Sequence, residues 1–342
     1  TEEFAQTIQE DIAWLGIKVD RLEKQSSRMD RYDAVRDDLK AKGLLYACYE
    51  TAEELEYKRK RQMALGKPPI YARTVVELTD EQRKALEAEG RKLHWRFKLP
   101  GKRVTWVDEC KGEQAIDTTS QSDPVLIRED GSYLYTLPSI IDDIDFGITH
   151  VIRGEDHVSN TGTQIEIFEA LGATAPGWGH PNLLMAADGS ALSKRKGSLS
   201  LKALREDGTQ PMAVASVASL VGTSMAISAR QSLDDLAQDF DLAKVSSGPA
   251  RFEPKQIADF SAAMVHALEP SDVAGTLANI GVPDDLQASF WLAVRKNCNT
   301  PQAAHLWWEM INADGVESER QDDDKTYIDQ ALKALPEGDI TE

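Results

Sequence analysis

Two segments of this sequence combine residue types and spacing that could do chemistry. The first, residues 150–157, reads as a short apolar strand that ends in a charge cluster, made of Arg153, Glu155, Asp156 and His157. The second, residues 192–197, is a loop whose polar side chains are Ser193, Lys194, Arg195 and Lys196. A strand, a charged turn, a helix and a basic loop are how α/β enzymes bring phosphates to the carboxyl ends of parallel strands. The pattern therefore indicates phosphate chemistry on a parallel sheet.

Each segment alone also fits an ordinary protein surface. The basic loop could be a solvated turn or a nucleic-acid patch. Arg153, Glu155 and Asp156 could form a surface ion-pair cluster, which usually contributes little to stability. Asp142 and Asp143 precede the first segment and could suggest a metal pair, but capping and orienting roles are favoured for them.

Together, the two segments resemble a known family. The run from Tyr133 to Asp143, followed by residues 147–157, is similar to the second half of the active site of glutamyl-tRNA synthetases. Residues 192–195 resemble that family's form of the class I Lys-Met-Ser-Lys-Ser signature. The resemblance runs from Thr1 to about residue 300. It implies a glutamate–tRNA ligase that uses ATP, with Mg²⁺, to activate L-glutamate and then transfers the glutamyl group to the 3′ end of tRNA-Glu.

The resemblance also implies roles for individual residues. Lys194, with Ser193 and Arg195, would stabilise charge on the leaving pyrophosphate. Leu183 and Leu184 match the family's adenine-contacting segment, although a plain buried strand fits them as well. The residues assigned to the amino-acid pocket are Tyr135, Arg153, Glu155, Asp156 and His157. A structural, hydrogen-bonded role is as good an interpretation for the histidine.

Two departures from the family pattern change what we expect. Ala191 stands where the signature has its first lysine, so Lys194, Arg195 or Lys196 must supply the charge there. The His-Ile-Gly-His signature of class I synthetases does not occur in the sequence, and Thr1 resembles a helix N-cap. We therefore expect the 342 residues to be truncated at both ends and inactive by themselves.

A net charge of -18 argues at first sight against a nucleic-acid partner. Binding depends, however, on where the cations lie rather than on the average charge. One strongly basic run is formed by Lys58, Arg59, Lys60 and Arg61. By itself this run fits a solvated helix face equally well; with the family resemblance, contact with the acceptor arm of tRNA is favoured. No apolar run approaches the ~20 residues that span a bilayer, and we expect a cytoplasmic monomer without a membrane partner.

The three cysteines are Cys48, Cys110 and Cys298, which lie far apart and match no disulfide framework or zinc ribbon. Some members of the family hold zinc through a Cys-x-Cys pair, where this sequence has Cys48-Tyr49-Glu50. We therefore expect no zinc and no other protein-bound metal, and we interpret Cys48 as a buried free thiol.

Hydrophobic periodicity predicts the elements that position these residues. Residues 160–172 and 32–42 have helical spacing, with Gly172 and Gly43 as stops. Residues 44–49 read as a buried strand. Phe4, Ile8, Ile12 and Leu15 define one face of an N-terminal helix. Further helices are predicted at residues 211–221, 233–240 and 254–268, and Trp307 and Trp308 fit a helix core better than a platform for stacking RNA bases.

The predicted fold class is α/β: a class I synthetase nucleotide-binding, Rossmann-like fold split by an α+β insertion and followed by an all-α C-terminal region. The predicted parts are residues 1–49 (first part of the catalytic domain), 50–125 (inserted acceptor-binding domain), 126–197 (second part of the catalytic domain, with the signature loop), 198–270 (helical stem-contact region) and 271–342 (incomplete helical anticodon-binding region).

Other functions stay open at this point. A shorter relative glutamylates a modified tRNA base, but it lacks an anticodon domain, whereas 145 residues follow Gly197 here, which disfavours it. Glutaminyl-tRNA synthetases share the architecture, although residues 153–157 look closer to the glutamyl form. The chain could also be a non-catalytic RNA-binding remnant. The resemblance does not decide whether tRNA-Gln is charged as well as tRNA-Glu.

Overall fold

The computed structural model describes residues 2–186, 189, 200–246 and 248–312. The helices in those residues are α1 (Glu2–Trp14), α2 (Met29–Ala41), α3 (Ala52–Ala64), α4 (Asp80–Ala88), α5 (Thr136–Phe146), α6 (Val158–Ala170), α7 (Leu201–Glu206), α8 (Pro211–Leu220), α9 (Leu233–Asp239), α10 (Pro254–Ala267), α11 (Pro270–Asn279), α12 (Asp284–Val294) and α13 (Ala304–Asn312). The strands are β1 (Leu45–Cys48), β2 (His94–Phe97), β3 (Arg103–Asp108), β4 (Gly112–Asp117), β5 (Val125–Ile127), β6 (His150–Ile152), β7 (Gly177–Gly179), β8 (Leu184–Ala186) and β9 (Ala250–Phe252). Across the described ranges, no helix has the length and apolar character to cross a membrane.

A four-stranded sheet with the order β4-β3-β7-β6 organises the α/β part of the chain. Strands β3, β7 and β6 run parallel to one another, and β4 pairs antiparallel with β3. The register places Asp108 opposite Trp178 and Ile152 opposite Gly179. Because the carboxyl ends of parallel strands meet at one edge of a sheet, the residues at the ends of β3, β7 and β6 lie side by side.

Two smaller sheets complete the β structure. Strands β1, β2 and β5 form an antiparallel sheet, and β8 pairs in parallel with β9, with Leu184 opposite Ala250. Strands β2 and β3 belong to the predicted insertion of residues 50–125, yet they pair with β1 and β7 outside it. Backbone hydrogen bonds therefore cross both predicted limits of the insertion, and the domain boundaries stay a prediction.

An apolar core joins helices α2, α5 and α6 to the sheets. Phe97, Leu126, Ile140 and Ile167 are fully buried there and belong to one cluster. Burying each such side chain contributes about 1.5–3 kcal/mol relative to leaving it exposed. The predicted helix stop Gly172 has φ +73°, in the left-handed region that glycine adopts without steric cost.

Asp142 fixes the start of α2 against α5. It accepts hydrogen bonds from Arg28 Nε at 2.8 Å and from the Tyr32 hydroxyl at 2.9 Å. Arg28 also donates to Asp145 at 2.6 Å. The orienting role predicted for Asp142 is therefore confirmed.

The helical half has two cores of its own. In the first, α8 and α10 pack together around Val214, Val217 and Ile257. In the second, α11 to α13 surround Trp291, which is completely buried. Trp307 and Trp308 are partly buried against this second core, which confirms the interpretation of these tryptophans as helix core.

Helix α1 forms as predicted, but its apolar face is covered only at one end. Trp14 and Leu15 pack against the α8–α10 core, and Arg205 of α7 pairs with Glu10 at 3.0 Å. Phe4 and Ile8 are 68% and 58% exposed. The prediction of a helix is thus confirmed, whereas the first turns do not contribute apolar side chains to a core of the described chain. The predicted N-cap, Thr1, lies outside the described residues.

Candidate active site

The ends of three parallel strands meet at the candidate active site. Asp108 is the last residue of β3, His180 follows β7 and Arg153 follows β6. The Arg153 backbone N–H donates to the Gly179 carbonyl at 3.0 Å, and the His180 N–H donates to Asp108 Oδ1 at 3.0 Å. The first bond extends the pairing of β6 with β7, and the second ties the Asp108 side chain to the residue after β7, so the three residues lie together at the edge of the sheet.

The guanidinium of Arg153 is held by neutral groups. Its Nε donates to His180 Nε2 at 3.2 Å, and its Nη2 donates to Thr161 Oγ1 at 2.9 Å and to Gln164 Oε1 at 2.6 Å. The guanidinium carbon lies 4.8 Å from the centre of the Trp178 ring, a distance at which the π-face attracts a cation. Together these contacts fix the plane of the guanidinium.

Arg153 keeps an open cationic edge. Within the described residues, its Nη1 donates no hydrogen bond and no carboxylate lies within 4.0 Å of it. Burial lowers the pKa of Arg153, and the nearby Tyr135, Asp143 and Asp156 offset this effect in part. Arginine stays protonated at neutral pH even so. The site thus presents a fixed, half-buried cation whose free nitrogen can bind a carboxylate.

The alternative in which Arg153 pairs with Glu155 or Asp156 is not seen among the described contacts. Glu155 Oε2 instead accepts from Lys111 Nζ at 2.7 Å, and that bond lowers the pKa of Glu155. Asp156 lies 3.8 Å from His157 Nε2. The charge cluster of residues 153–157 therefore divides into separate contacts among the described residues.

Tyr135 lines a cavity of about 310 Å³. The hydroxyl of Tyr135 accepts a hydrogen bond from Asn160 Nδ2 at 2.9 Å and lies 3.5 Å from His157 Nδ1. Apart from Pro124, the cavity is lined by side chains with an amide or hydroxyl group, which are Gln121, Ser122, Tyr135, Thr136, Ser159, Asn160, Thr163 and Gln164. Gln164 lines this cavity and also accepts a hydrogen bond from Arg153 Nη2, so one side chain connects the cavity to the arginine.

Glu155 connects the turn after β6 to the strand that approaches the signature loop. Its Oε1 accepts from the backbone N–H of Leu183 at 3.4 Å. A Cβ at Gly154 would stand 3.0 Å from the Leu183 side chain, so the absence of a side chain at Gly154 lets the two segments approach. The structure thus brings Leu183, which is assigned to ATP, next to Glu155, which is assigned to the amino-acid pocket.

Leu183 and Leu184 differ in burial. Leu183 is 42% exposed, whereas Leu184 begins β8 and is partly buried against the α8–α10 core. The interpretation of both residues as a plain buried strand therefore holds for Leu184 only. The signature residues Ser193, Lys194, Arg195 and Lys196 lie outside the described residues.

The basic run lies on α3, whose N-terminus is closed by a capping box of Thr51 and Glu54. Its members point to different surroundings. Lys60 pairs with Glu56 at 3.7 Å, and Lys58 pairs with Glu50 at 3.1 Å. Lys58, Arg59 and Arg61, with Lys67 and Arg96, line a groove of about 710 Å³. A cationic groove of this kind suits a polyanionic ligand.

Cys48 lies at the back of the same region and is completely buried. It accepts a hydrogen bond from the Tyr71 hydroxyl at 3.4 Å. Burial raises the pKa of the Cys48 thiol to about 11, so the thiol stays protonated and unreactive at neutral pH. The interpretation of Cys48 as a buried free thiol is confirmed.

Several residues of the site were not singled out from the sequence. Lys111, Asn160, Thr161, Gln164 and His180 each contact a predicted site residue, and Asp108 contacts His180. Helical spacing from Asn160 could have suggested that residues 160, 161 and 164 share a face, because residues three and four apart are neighbours on a helix. Asp108 and His180 carry no local motif; only the pairing of β3 with β7 brings them together.

The chain matches the family model described as "tRNA synthetases class I (E and Q), catalytic domain" over residues 1–259. It is 53% identical over 311 residues to glutamate–tRNA ligase 2 of Methylobacterium radiotolerans, a match that covers 91% of this chain and 70% of that protein. It is 46% identical over 346 residues to glutamate–tRNA ligase 1 of Brucella ovis, covering 98% of this chain and 76% of the relative.

Solved structures agree on the fold. The glutamate tRNA ligase of Elizabethkingia meningosepticum, crystallised with its amino acid, superposes with a TM-score of 0.77 at 24% identity and covers 97% of this chain and 76% of its own. The enzyme of Elizabethkingia anophelis gives a TM-score of 0.76 at 24% identity, covering 97% and 77%. The predicted class I fold is therefore confirmed. The chain belongs to the class I tRNA synthetases of the E and Q group and, within that group, to the glutamyl-tRNA synthetase family.

Proposed function

We propose that this protein is a glutamate–tRNA ligase, and that Arg153 binds a carboxylate of the amino-acid substrate. The observation that supports the pocket most directly is the open Nη1 edge of a half-buried arginine whose other contacts are neutral. Arginine binds carboxylates through paired N–H donors, and such bonds are stronger than those between neutral groups. The ligase names of relatives up to 53% identical support the same substrate.

The proposed reaction has two steps. An oxygen of the glutamate α-carboxylate attacks the α-phosphorus of ATP, the bond to the bridging oxygen breaks, and pyrophosphate leaves. A ribose hydroxyl at the 3′ end of tRNA-Glu then attacks the acyl carbon of glutamyl-adenylate, and AMP leaves. Substrate oxygens are the nucleophiles in both steps. The protein therefore contributes by positioning the substrates and by stabilising charge.

On the ATP side, we propose that Leu183 and Leu184 contact the adenine and that Lys194 and Arg195 act on the phosphates. The exposed Leu183 side chain supports a ligand contact there. We propose that Mg²⁺ arrives with ATP as the partner of its phosphates, the usual mode for this ion. In the described part of the chain, no group of three or more His, Cys, Asp or Glu side chains offers a separate metal site.

For tRNA, we propose that the groove beside α3 receives the acceptor arm, through Lys58, Arg59 and Arg61. Lys60 does not line the groove and would contribute through its charge. We also propose the domain limits given above, with residues 50–125 as the acceptor-binding insertion. A monomer in the cytoplasm, where tRNA is charged for translation, is part of the same proposal; tRNA-Gln is a candidate second substrate.

ATP–pyrophosphate exchange tests the proposed reaction. With tRNA-Glu present, the full-length protein is expected to catalyse exchange with glutamate, and to do so with a kcat/KM at least about tenfold above that for glutamine. The reason is that a cationic pocket loses a charged hydrogen bond when the substrate carboxylate becomes an amide. Preference for glutamine would support a glutaminyl enzyme, and tRNA binding without exchange would support a non-catalytic RNA-binding protein.

Tyr135→Phe is expected to weaken the use of glutamate modestly, because it removes one hydroxyl but keeps the ring. Loss of one hydrogen bond costs about 1 kcal/mol, which corresponds to roughly a fivefold rise in the KM for glutamate. Tyr133→Phe is the matched control, since its hydroxyl contacts Asp33 away from the cavity. If Tyr135→Phe and the unmodified protein have the same KM for glutamate, the Tyr135 hydroxyl does not contact the substrate.

A further inference from the structure

Behind Arg153 lies a buried acid–base pair that the proposed mechanism does not use. The side chains of Asp108 and His180 are both completely inaccessible to solvent, and Asp108 Oδ2 is hydrogen-bonded to His180 Nδ1. A buried carboxylate is costly unless it is paired and hydrogen-bonded. This pair stands at the ends of β3 and β7, directly beside the arginine that follows β6.

The surroundings of Asp108 determine which histidine nitrogen carries the proton. Asp108 Oδ1 accepts three backbone N–H bonds, from Cys110 at 3.1 Å, Lys111 at 3.1 Å and His180 at 3.0 Å. Burial acts to raise the pKa of Asp108, but the bonds from His180 and the backbone outweigh it and lower the pKa. The carboxylate is therefore ionised, and its Oδ2 accepts the proton carried by His180 Nδ1.

A proton on Nδ1 leaves His180 Nε2 as an acceptor. The Nε of Arg153 donates to this atom at 3.2 Å, and Thr161 Oγ1 lies 3.2 Å from it. The imidazole also stacks on the indole of Trp178, with ring centres 6.3 Å apart and planes inclined by 11°. The three residues thus form a series of hydrogen bonds in which Arg153 donates to His180 and His180 donates to Asp108.

We propose that Asp108 and His180 are positioning residues that hold Arg153 ready for the substrate carboxylate. The inference rests on the proposed function of Arg153. A carboxylate in direct contact would occupy the guanidinium and compete with the substrate. Placed one imidazole away, Asp108 supplies a counter-charge while the Nη1 edge stays open. Thr161 and Gln164 are neutral acceptors that fix the Nη2 atom of Arg153 without adding charge.

Asp108→Asn tests this arrangement with an isosteric change. The three backbone N–H groups keep the amide oxygen on their side, so the amide NH₂ faces His180 Nδ1. The histidine proton then moves to Nε2, where it opposes the N–H of Arg153. We expect the KM for glutamate in pyrophosphate exchange to rise by about 10- to 100-fold, as when partners that orient a ligand-binding group are lost. The KM for ATP should change by less than about twofold.

Two controls separate positioning from a loss of folding. Glu166→Gln makes the same acid-to-amide change at another buried site, where the carboxylate binds Thr118 at 2.9 Å and does not contact Arg153. It should leave both KM values unchanged. In an Arg153→Ala background, adding Asp108→Asn should raise the KM for glutamate by no more than about twofold, because residues that act through one group are not additive.

The outcomes distinguish this inference from the proposed function. If Arg153→Ala raises the KM for glutamate while Asp108→Asn does not, the positioning role is wrong and the pocket stands. If neither variant changes it, the proposed role of Arg153 fails as well. A full additional effect of Asp108→Asn in the Arg153→Ala background would also overturn the inference. Should Asp108→Asn fold poorly, His180→Gln gives the second measurement, because it removes the imidazole that links Asp108 to Arg153 Nε. The KM for glutamate should then rise and the KM for ATP should not. An unchanged KM for glutamate in the folded His180→Gln protein would overturn the inference.

Discussion

Arg153→Ala is expected to raise the KM for glutamate strongly while leaving the KM for ATP nearly unchanged. The substrate carboxylate would lose its charged partner inside a half-buried site. Loss of one member of such a pair costs roughly 2–5 kcal/mol, much of it from leaving the other charge unpaired. Steady-state pyrophosphate exchange with glutamate and ATP varied separately measures both constants.

The competing explanation is that Arg153 serves stability alone, through Thr161, Gln164 and His180. That explanation predicts a lower melting temperature with ordinary glutamate kinetics. Arg230→Ala provides a matched control, because this arginine is also partly buried and pairs with Asp239 at 2.7 Å in the helical half. If Arg153→Ala lowers the melting temperature as Arg230→Ala does and leaves the KM for glutamate unchanged, Arg153 does not bind the substrate carboxylate.

Lys194→Ala is expected to slow adenylate formation and to change the affinity for glutamate little. The ammonium would act on charge that builds up on the pyrophosphate in the transition state, so its loss appears in turnover rather than in ground-state binding. Removing one such electrostatic contact costs on the order of 3 kcal/mol, or about 10²-fold in rate. Single-turnover measurement of adenylate formation, with glutamate saturating, gives this rate directly.

Arg195→Ala and Lys196→Ala are the companion variants for this loop. Ala191 stands where the family signature has its first lysine. The positive charge that acts on the phosphates must therefore come from Lys194, Arg195 or Lys196. If Lys194→Ala forms adenylate at the normal rate and Arg195→Ala or Lys196→Ala forms it slowly, the slow variant identifies the residue that stabilises charge on the pyrophosphate. Lys202→Ala, on α7 outside the loop, should leave the rate unaltered.

The sequence predicted elements best where the signal was local. The helix starting near Asn160 was expected to stop at Gly172, and α6 spans Val158–Ala170 with Gly172 at φ +73°. The strand of residues 150–152 and the long helices of the second half were found in the same way. Apolar spacing and terminating glycines act within a few residues, so one chain is enough to read them.

Strand pairing could not be read in this way. The parallel partner of β3 is β7, about seventy residues later in the chain, and the register between these two strands places Asp108 opposite Trp178. That pairing depends on the whole packed structure rather than on local preference. For the same reason Arg153 was predicted from a charged motif, whereas His180, which lies in an apolar stretch after a short strand, was not.

Because β8 pairs with β9, β8 stays in place only while β9 and the helix that follows it are folded. Three register pairs join β8 to β9, and β9 leads directly into α10. Proteins open in cooperative units, and short strands held by few hydrogen bonds open with the element that supports them. Amide hydrogens of β8 should therefore exchange together with those of α10. A destabilising substitution in α10 is therefore expected to loosen β8 as well, and so to reduce tRNA charging although no residue that contacts a substrate has changed.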